Sequence, residues 1–133
     1  MEPVESTMAE KVAQAARDFQ RQRTGHVPKA VTVVLSNDTL VITLHEALTP
    51  AERALANTAE GAAKVQEYHR QLFITSAEKL REEIKRITGV PVREAAAEVE
   101  TSTGTVVQVF TSGTMVQVFQ LAESIPSETW NSN

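Results

Sequence analysis

The chain has 133 residues, 41% hydrophobic and 23% charged, with a formal net charge of −4, the balance of a folded soluble domain rather than of a disordered or membrane-embedded chain. It has no cysteine, which excludes disulfides, thiolate nucleophiles and Cys-ligated zinc together. The acidic balance argues against a whole-domain nucleic-acid footprint, and no apolar run approaches the roughly 20 residues of a membrane-spanning helix.

The first residues, MEPVESTMAEK, lack a basic n-region and an apolar h-region, so they do not read as a secretory signal and a cytoplasmic protein is the expectation. From about Thr7 to Thr24 the spacing predicts a helix. Met8, Val12, Ala15 and Phe19 recur on one face, Thr7 and Glu10 make a capping box, and Gly25 and Pro28 end it. A hairpin follows. Val31, Val33 and Leu35 alternate with Thr32, Val34 and Ser36, Leu40, Ile42 and Leu44 alternate with Val41, Thr43 and His45, and Asn37-Asp38 supplies the turn.

The stretch Leu48 to Gly89 is the structural axis. Thr49 caps it, Pro50 suits the first helical position, Glu52 completes a second capping box, and Gly89 is the left-handed stop. Asn57 to Gly61 are weak helix formers, so a short helix Pro50–Ala56, a bend, and a long helix to Thr88 capped by Thr58 are predicted. Val65, Tyr68, Leu72, Leu80, Ile84 and Ile87 form its expected core stripe. Period two then returns. Ala95, Ala97 and Val99 alternate with Glu94, Glu98 and Glu100, Thr101 to Gly104 turn the chain, and Thr105 to Phe110 runs back. Met115 to Leu121 forms an extra strand after the turn Thr111 to Thr114, and both runs contain VQVF.

This order predicts one α+β domain over residues 1–121, a two-layer αββαββ sandwich with both helices on one face of an antiparallel sheet and a possible extra C-terminal strand. Residues 122–133 are expected to be a flexible polar tail, with Ile125 or Trp130 as the groups able to dock. The last strands are apolar on both pleat faces, which an open two-layer sheet does not require. Either the tail covers them or a second subunit does. The expected self-association surface is Val107, Val109, Phe110, Val116, Val118 and Phe119.

Candidate chemistry is sparse. Glu52 is fully accounted for as a cap carboxylate, with Arg53 a solvated neighbour. His69 and Arg70 could hold a phosphate or carboxylate, but His69 falls one position off the predicted stripe and reads as a partly exposed bystander. Arg53, His69 and Arg70 are the candidate anion-binding set. Three separated histidines without HxxxH or HxH spacing do not make a metal site, and five dispersed glycines provide neither a P-loop nor GxGxxG. No cofactor is expected. No GxSxG occurs, and the KH-like strand order lacks GxxG.

The string LTPAERALANTAEG, with GHVPK before the hairpin and ITGVPV after the long helix, resembles a family of small bacterial proteins called MpsC, named for a component of a sodium-translocating, membrane-potential-generating system. The similarity covers about residues 5 to 112. Its most specific part is Leu48-Thr49-Pro50-Ala51-Glu52-Arg53, with Glu60-Gly61 eight residues after Glu52. Several family members carry Gly-Arg-Gly-Pro where this chain has Gly25-His26-Val27-Pro28. Val27 lacks glycine's backbone freedom, which weakens an anion-binding role for that loop.

The resemblance implies an accessory to an ion or inorganic-carbon transport system, cytoplasmic or peripheral to the inner face of the membrane and not inserted in it. The leading expectation is a non-enzymatic interaction protein that forms a homodimer. A small-molecule or anion sensor, or an RNA-binding adaptor of KH-like topology, is the alternative.

Overall fold

A computed structural model describes residues 7–94, 107–109 and 114–131. Helix α1 spans Met8–Thr24, closed at its start by the Thr7–Glu10 capping box and at its end by Gly25 at φ 75°. That left-handed conformation suits glycine, and its N–H donates to the Arg21 carbonyl at 2.8 Å. The buried face is Val12, Ala16, Phe19 and Gln20.

Strands β1 (Ala30–Ser36) and β2 (Thr39–His45) form the predicted hairpin. Ser36 pairs with Thr39 across Asn37-Asp38, and Asn37 takes φ 56°, a value asparagine tolerates. Leu40, Ile42 and Leu44 are fully buried, while Thr39, Val41, Thr43 and His45 on the other face are half-buried.

The axis is bent as its composition predicts. Helix α2 is Pro50–Leu55, and α3 is Ala59–Thr88, a 30-residue rod ended by Gly89 at φ 78°. The Gly61 N–H donates to the Thr58 hydroxyl at 3.0 Å. A Cβ on Gly61 would lie 1.8 Å from the Leu55 carbonyl oxygen, so the corner between α2 and α3 closes only over a residue with no side chain.

The core stripe of α3 differs from the prediction. It holds Gly61, Val65, His69, Phe73, Ser76, Ala77, Leu80, Ile84 and Thr88. Tyr68 is exposed and Leu72 only half-buried. The regular spacing 61, 65, 69, 73, 77 carries the buried face straight through His69, and hydropathy alone pulls the choice to Tyr68. Buried Ser76 and Thr88 donate their hydroxyls to Leu72 and Ile84 carbonyls at 2.6 and 2.8 Å, which satisfies them within the helix.

Strands β3 (Val92–Glu94), β4 (Val107–Val109) and β5 (Met115–Leu121) complete an antiparallel sheet ordered β1-β2-β5-β3, with β4 also paired to β5. Met115, Gln117, Phe119 and Leu121 of β5 are buried in the core with Val12, Phe19, Phe73, Leu80 and Ile84 of the helices. The Phe73 and Phe119 rings meet at 5.7 Å. The fold is thus α+β, with α1 and α3 on one face of the sheet.

The strand expected as an optional extra is the centre of the sheet. One of its pleat faces lies against the helices and the other, with Val116 and Val118, is the half-buried open side of the sheet. The remainder of the predicted strand at Ala95, Ala97 and Val99, the Thr101–Gly104 turn, Phe110, and the turn residues 111–113 lie outside the described residues.

Over residues 122–131 the tail is docked rather than frayed, by the two side chains expected for that role. Helix α4 (Ser127–Trp130) folds beside Val33, Leu35 and Asn37, and Ile125 and Trp130 are buried in the core cluster. Two apolar side chains in an otherwise polar segment are enough to hold it down.

Candidate functional site

Two of the three stretches that mark the family resemblance, GHVPK and the start of LTPAERALANTAEG, meet in space at the loops before α2. Buried Ala47 and Leu48 anchor the loop to the core, and Glu46 before them is left-handed at φ 51°. Thr49 then caps α2. Its hydroxyl accepts from the Glu52 N–H at 3.2 Å, and its own N–H donates to Glu52 Oε1 at 2.9 Å. These residues pre-form the first turn of a helix only six residues long.

The second carboxylate oxygen does something the cap does not explain. Glu52 Oε2 lies 2.5 Å from Nε2 of His69, whose side chain is 2% exposed. Tyr68 stacks edge-on to that imidazole at 5.1 Å. Burial pushes the Glu52 carboxyl upward, but hydrogen bonds from Thr49 and the neighbouring His69 outweigh it and hold the group below its ordinary value. One carboxylate therefore serves both a helix cap and a tie to α3, seventeen residues away. The bystander reading of His69 is corrected here. A buried imidazole is inexpensive when a carboxylate faces it.

Around Glu46 the other stretch closes in. The His26 ring nitrogen Nε2 is 2.8 Å from the Glu46 carbonyl oxygen. Lys29 Nζ and Arg53 Nη1 approach the Glu46 carboxylate at 3.5 and 4.0 Å. His26, Glu46, Leu48, Pro50 and Arg53 line an open hollow of about 300 Å³ there. A neighbouring cleft of about 270 Å³ is walled by Thr24, Glu52, Leu55, Lys64 and Tyr68, among others. Sequence reasoning missed the Glu46 cluster, because a glutamate in a left-handed loop carries no local signature.

The candidate anion set does not converge. Arg53 faces Glu46, His69 is enclosed against Glu52, and Arg70 pairs with Glu67 on α3 at 2.7 Å. Adjacent residues on a helix point about 100° apart, so His69 and Arg70 do not share a face. Nε2 of His69 is engaged by Glu52 and the side chain is 2% exposed, so the imidazole is enclosed between α2 and α3. Among the described residues, no three His, Asp or Glu side chains form a group able to hold a metal.

Of the expected self-association set, Phe119 is fully buried under α3 and is corrected to a core residue. Val116 and Val118 are half-buried on the open face. The main chains of Val107 and Val109 pair with Gln117 and Met115, and Phe110 lies outside the described residues. β2 flanks β5 along one side, and on the other β3 takes Leu121 and Gln120 and β4 takes Gln117, Val116 and Met115, so most of both edges of β5 is paired within the chain.

Comparison with known proteins gives two matches. Residues 5–113 match the family model described as Na+-translocating membrane potential-generating system (MpsC). The chain is also similar to the uncharacterized protein YbcI of Bacillus subtilis (strain 168), at 26% identity over 107 residues, 80% of this chain and 83% of that protein. No solved structure matches it. Among the described residues no helix is long and apolar enough to cross a membrane.

Proposed function

Because the chain belongs to the MpsC family, described as a Na+-translocating membrane potential-generating system, we propose that it is a non-enzymatic accessory protein of such a system. It works in the cytoplasm at the membrane surface, as a homodimer. The observation that carries this reading is the use of the family-marking residues. Thr49, Pro50 and Glu52 build a helix start, Glu52 ties to His69, and Gly61 lets α2 approach α3. These residues hold one another rather than present a reactive group to a substrate.

A contact role needs a contact surface, and the open face of the sheet supplies it. Val34, Val41 and Val118 stand side by side across β1, β2 and β5, flanked by threonines, in a chain that is 23% charged. An uncharged patch of this kind suits protein association.

The test is made in cells that encode the protein. Deleting it should lower the Na+-dependent membrane potential read by a voltage-sensitive dye, and a tagged copy should retain an integral membrane protein from mild-detergent extracts. An unchanged potential together with no retained membrane protein would overturn the proposal.

A further inference from the structure

No strand lies beside the outer edge of β1 among the described residues, and the main-chain geometry of that edge can be read from one hydrogen bond. Leu121 N–H donates to the Asp38 carbonyl at 2.7 Å, one step beyond the Thr39–Gln120 pair of the β2–β5 ladder. Residues of an antiparallel pair alternate between bonded and non-bonded positions. Leu40, Ile42 and Leu44 therefore bond to β5, and Thr39, Val41, Thr43 and His45 bond to β1. Their register partners are Ser36, Val34, Thr32 and Ala30. By the same alternation the N–H and C=O groups of Val31, Val33 and Leu35 turn away from β2, toward the side where β1 is the outermost described strand.

Edge strands are normally blunted by charge, proline or a bulge. On the opposite side of the sheet, β3 shows this protection. Its described residues follow Pro91, include Arg93 and Glu94, and carry a register shift between Val92 and Glu94. β1 has none of it. Seven consecutive residues keep an unbroken register with β2 and include no charge and no proline.

We propose that this edge pairs antiparallel with β1 of a second copy, which joins two sheets into one continuous sheet. The proposal rests on the homodimer in the functional reading above and assigns its contact. A two-fold axis at Val33 sets Val31 opposite Leu35, Thr32 opposite Val34 and Ala30 opposite Ser36, so the apolar core-side residues meet one another and only uncharged side chains meet on the other side. Each copy carries a net charge of −4, and this uncharged strand is a place where two copies meet without opposing charges. A strand bearing charged side chains would leave them without partners here. Beside Val33 and Leu35, Ser124, Pro126, Ser127 and Asn131 wall a groove of about 540 Å³ over the buried Ile125 and Trp130, which gives the second copy a surface of mixed polarity to cover in addition to the ladder.

The alternation provides the test. Val33→Pro removes an outward N–H and none that β1 gives to β2, and proline is tolerated on sheet edges. Val34→Pro removes a donor to β2. Analytical ultracentrifugation over a concentration series should show a dimer for the wild type and for Val118→Lys. Val33→Pro should be a monomer, its circular dichroism unchanged, while Val34→Pro melts at lower temperature. If Val33→Pro does not fold, amide exchange of the wild type decides, since the Val31, Val33 and Leu35 amides should gain protection on concentration. A wild-type chain that stays monomeric would overturn the homodimer reading itself. A dimer that survives Val33→Pro, or that Val118→Lys breaks, or whose three amides gain no protection, would overturn the edge assignment and leave the homodimer standing.

Discussion

Glu52 carries two duties, and a conservative change can separate them. Glutamine also serves the third position of a capping box, so Glu52→Gln retains the tie to Thr49 while removing the charge that faces His69. The expected loss at neutral pH is about 1.5–3 kcal/mol, the range for a hydrogen bond to a charged group, read from urea denaturation. The pH dependence has a definite sign. The folded carboxyl lies below its ordinary value, so its contribution is complete above the unfolded pKa and fades as pH falls through the folded one. The variant should show a shallower acid limb in that window, and an unchanged limb would mean that the tie contributes nothing.

Gly61 reverses the usual rule for helices. Alanine in place of an interior glycine ordinarily stabilises by roughly 0.5–1 kcal/mol, but here the new Cβ would meet the Leu55 carbonyl. Gly61→Ala is expected to lose about 1–3 kcal/mol as an overpacking change. A rise in the denaturation midpoint would show that α2 and α3 do not approach so closely. The cap at Thr49 was legible in sequence because its hydrogen bonds are local. The partner of His69 was not, since it arrives from a helix seventeen residues away.

At the scale of elements, legibility follows the same division between local and distant causes. The hairpin turn, both long-helix boundaries and the bend between α2 and α3 are set by residues within a few positions of one another, and all are readable. The placement of β5 between β2 and β3 depends on pairings far along the chain, and its apolar pleat faces pointed equally to another subunit. The tail shows the limit from the other side. A polar segment with one tryptophan reads as loose by composition, yet Trp130 is 7% exposed and closes the core beside β1. Trp130→Ala should therefore cost about 3–5 kcal/mol, the range for a large aromatic removed from a core. Thermal unfolding followed by circular dichroism measures it, and a melting temperature within a degree of the wild type would show that α4 is not part of the cooperative unit.

At the scale of the whole molecule, the two faces of the sheet divide the work. The helix side buries Leu40, Ile42, Leu44 and Phe119 completely and holds the fold. The open side presents Val34, Val41 and Val118 in one cross-strand row, with threonines around it, and holds no part of the helix-side core. A change there can alter association without altering folding. Val118→Lys sets a charge in the middle of that row on an interior strand, where the long side chain can still extend into water. It should leave the melting temperature within a few degrees and the dimer intact, because β1 lies two strands away from it. Recovery of the membrane partner in mild-detergent pull-downs should fall at least tenfold, since a charge buried without a partner in an apolar contact opposes binding strongly. Undiminished recovery by a folded, dimeric Val118→Lys protein would move the contact off this face and return attention to the hollow around Glu46 and Arg53.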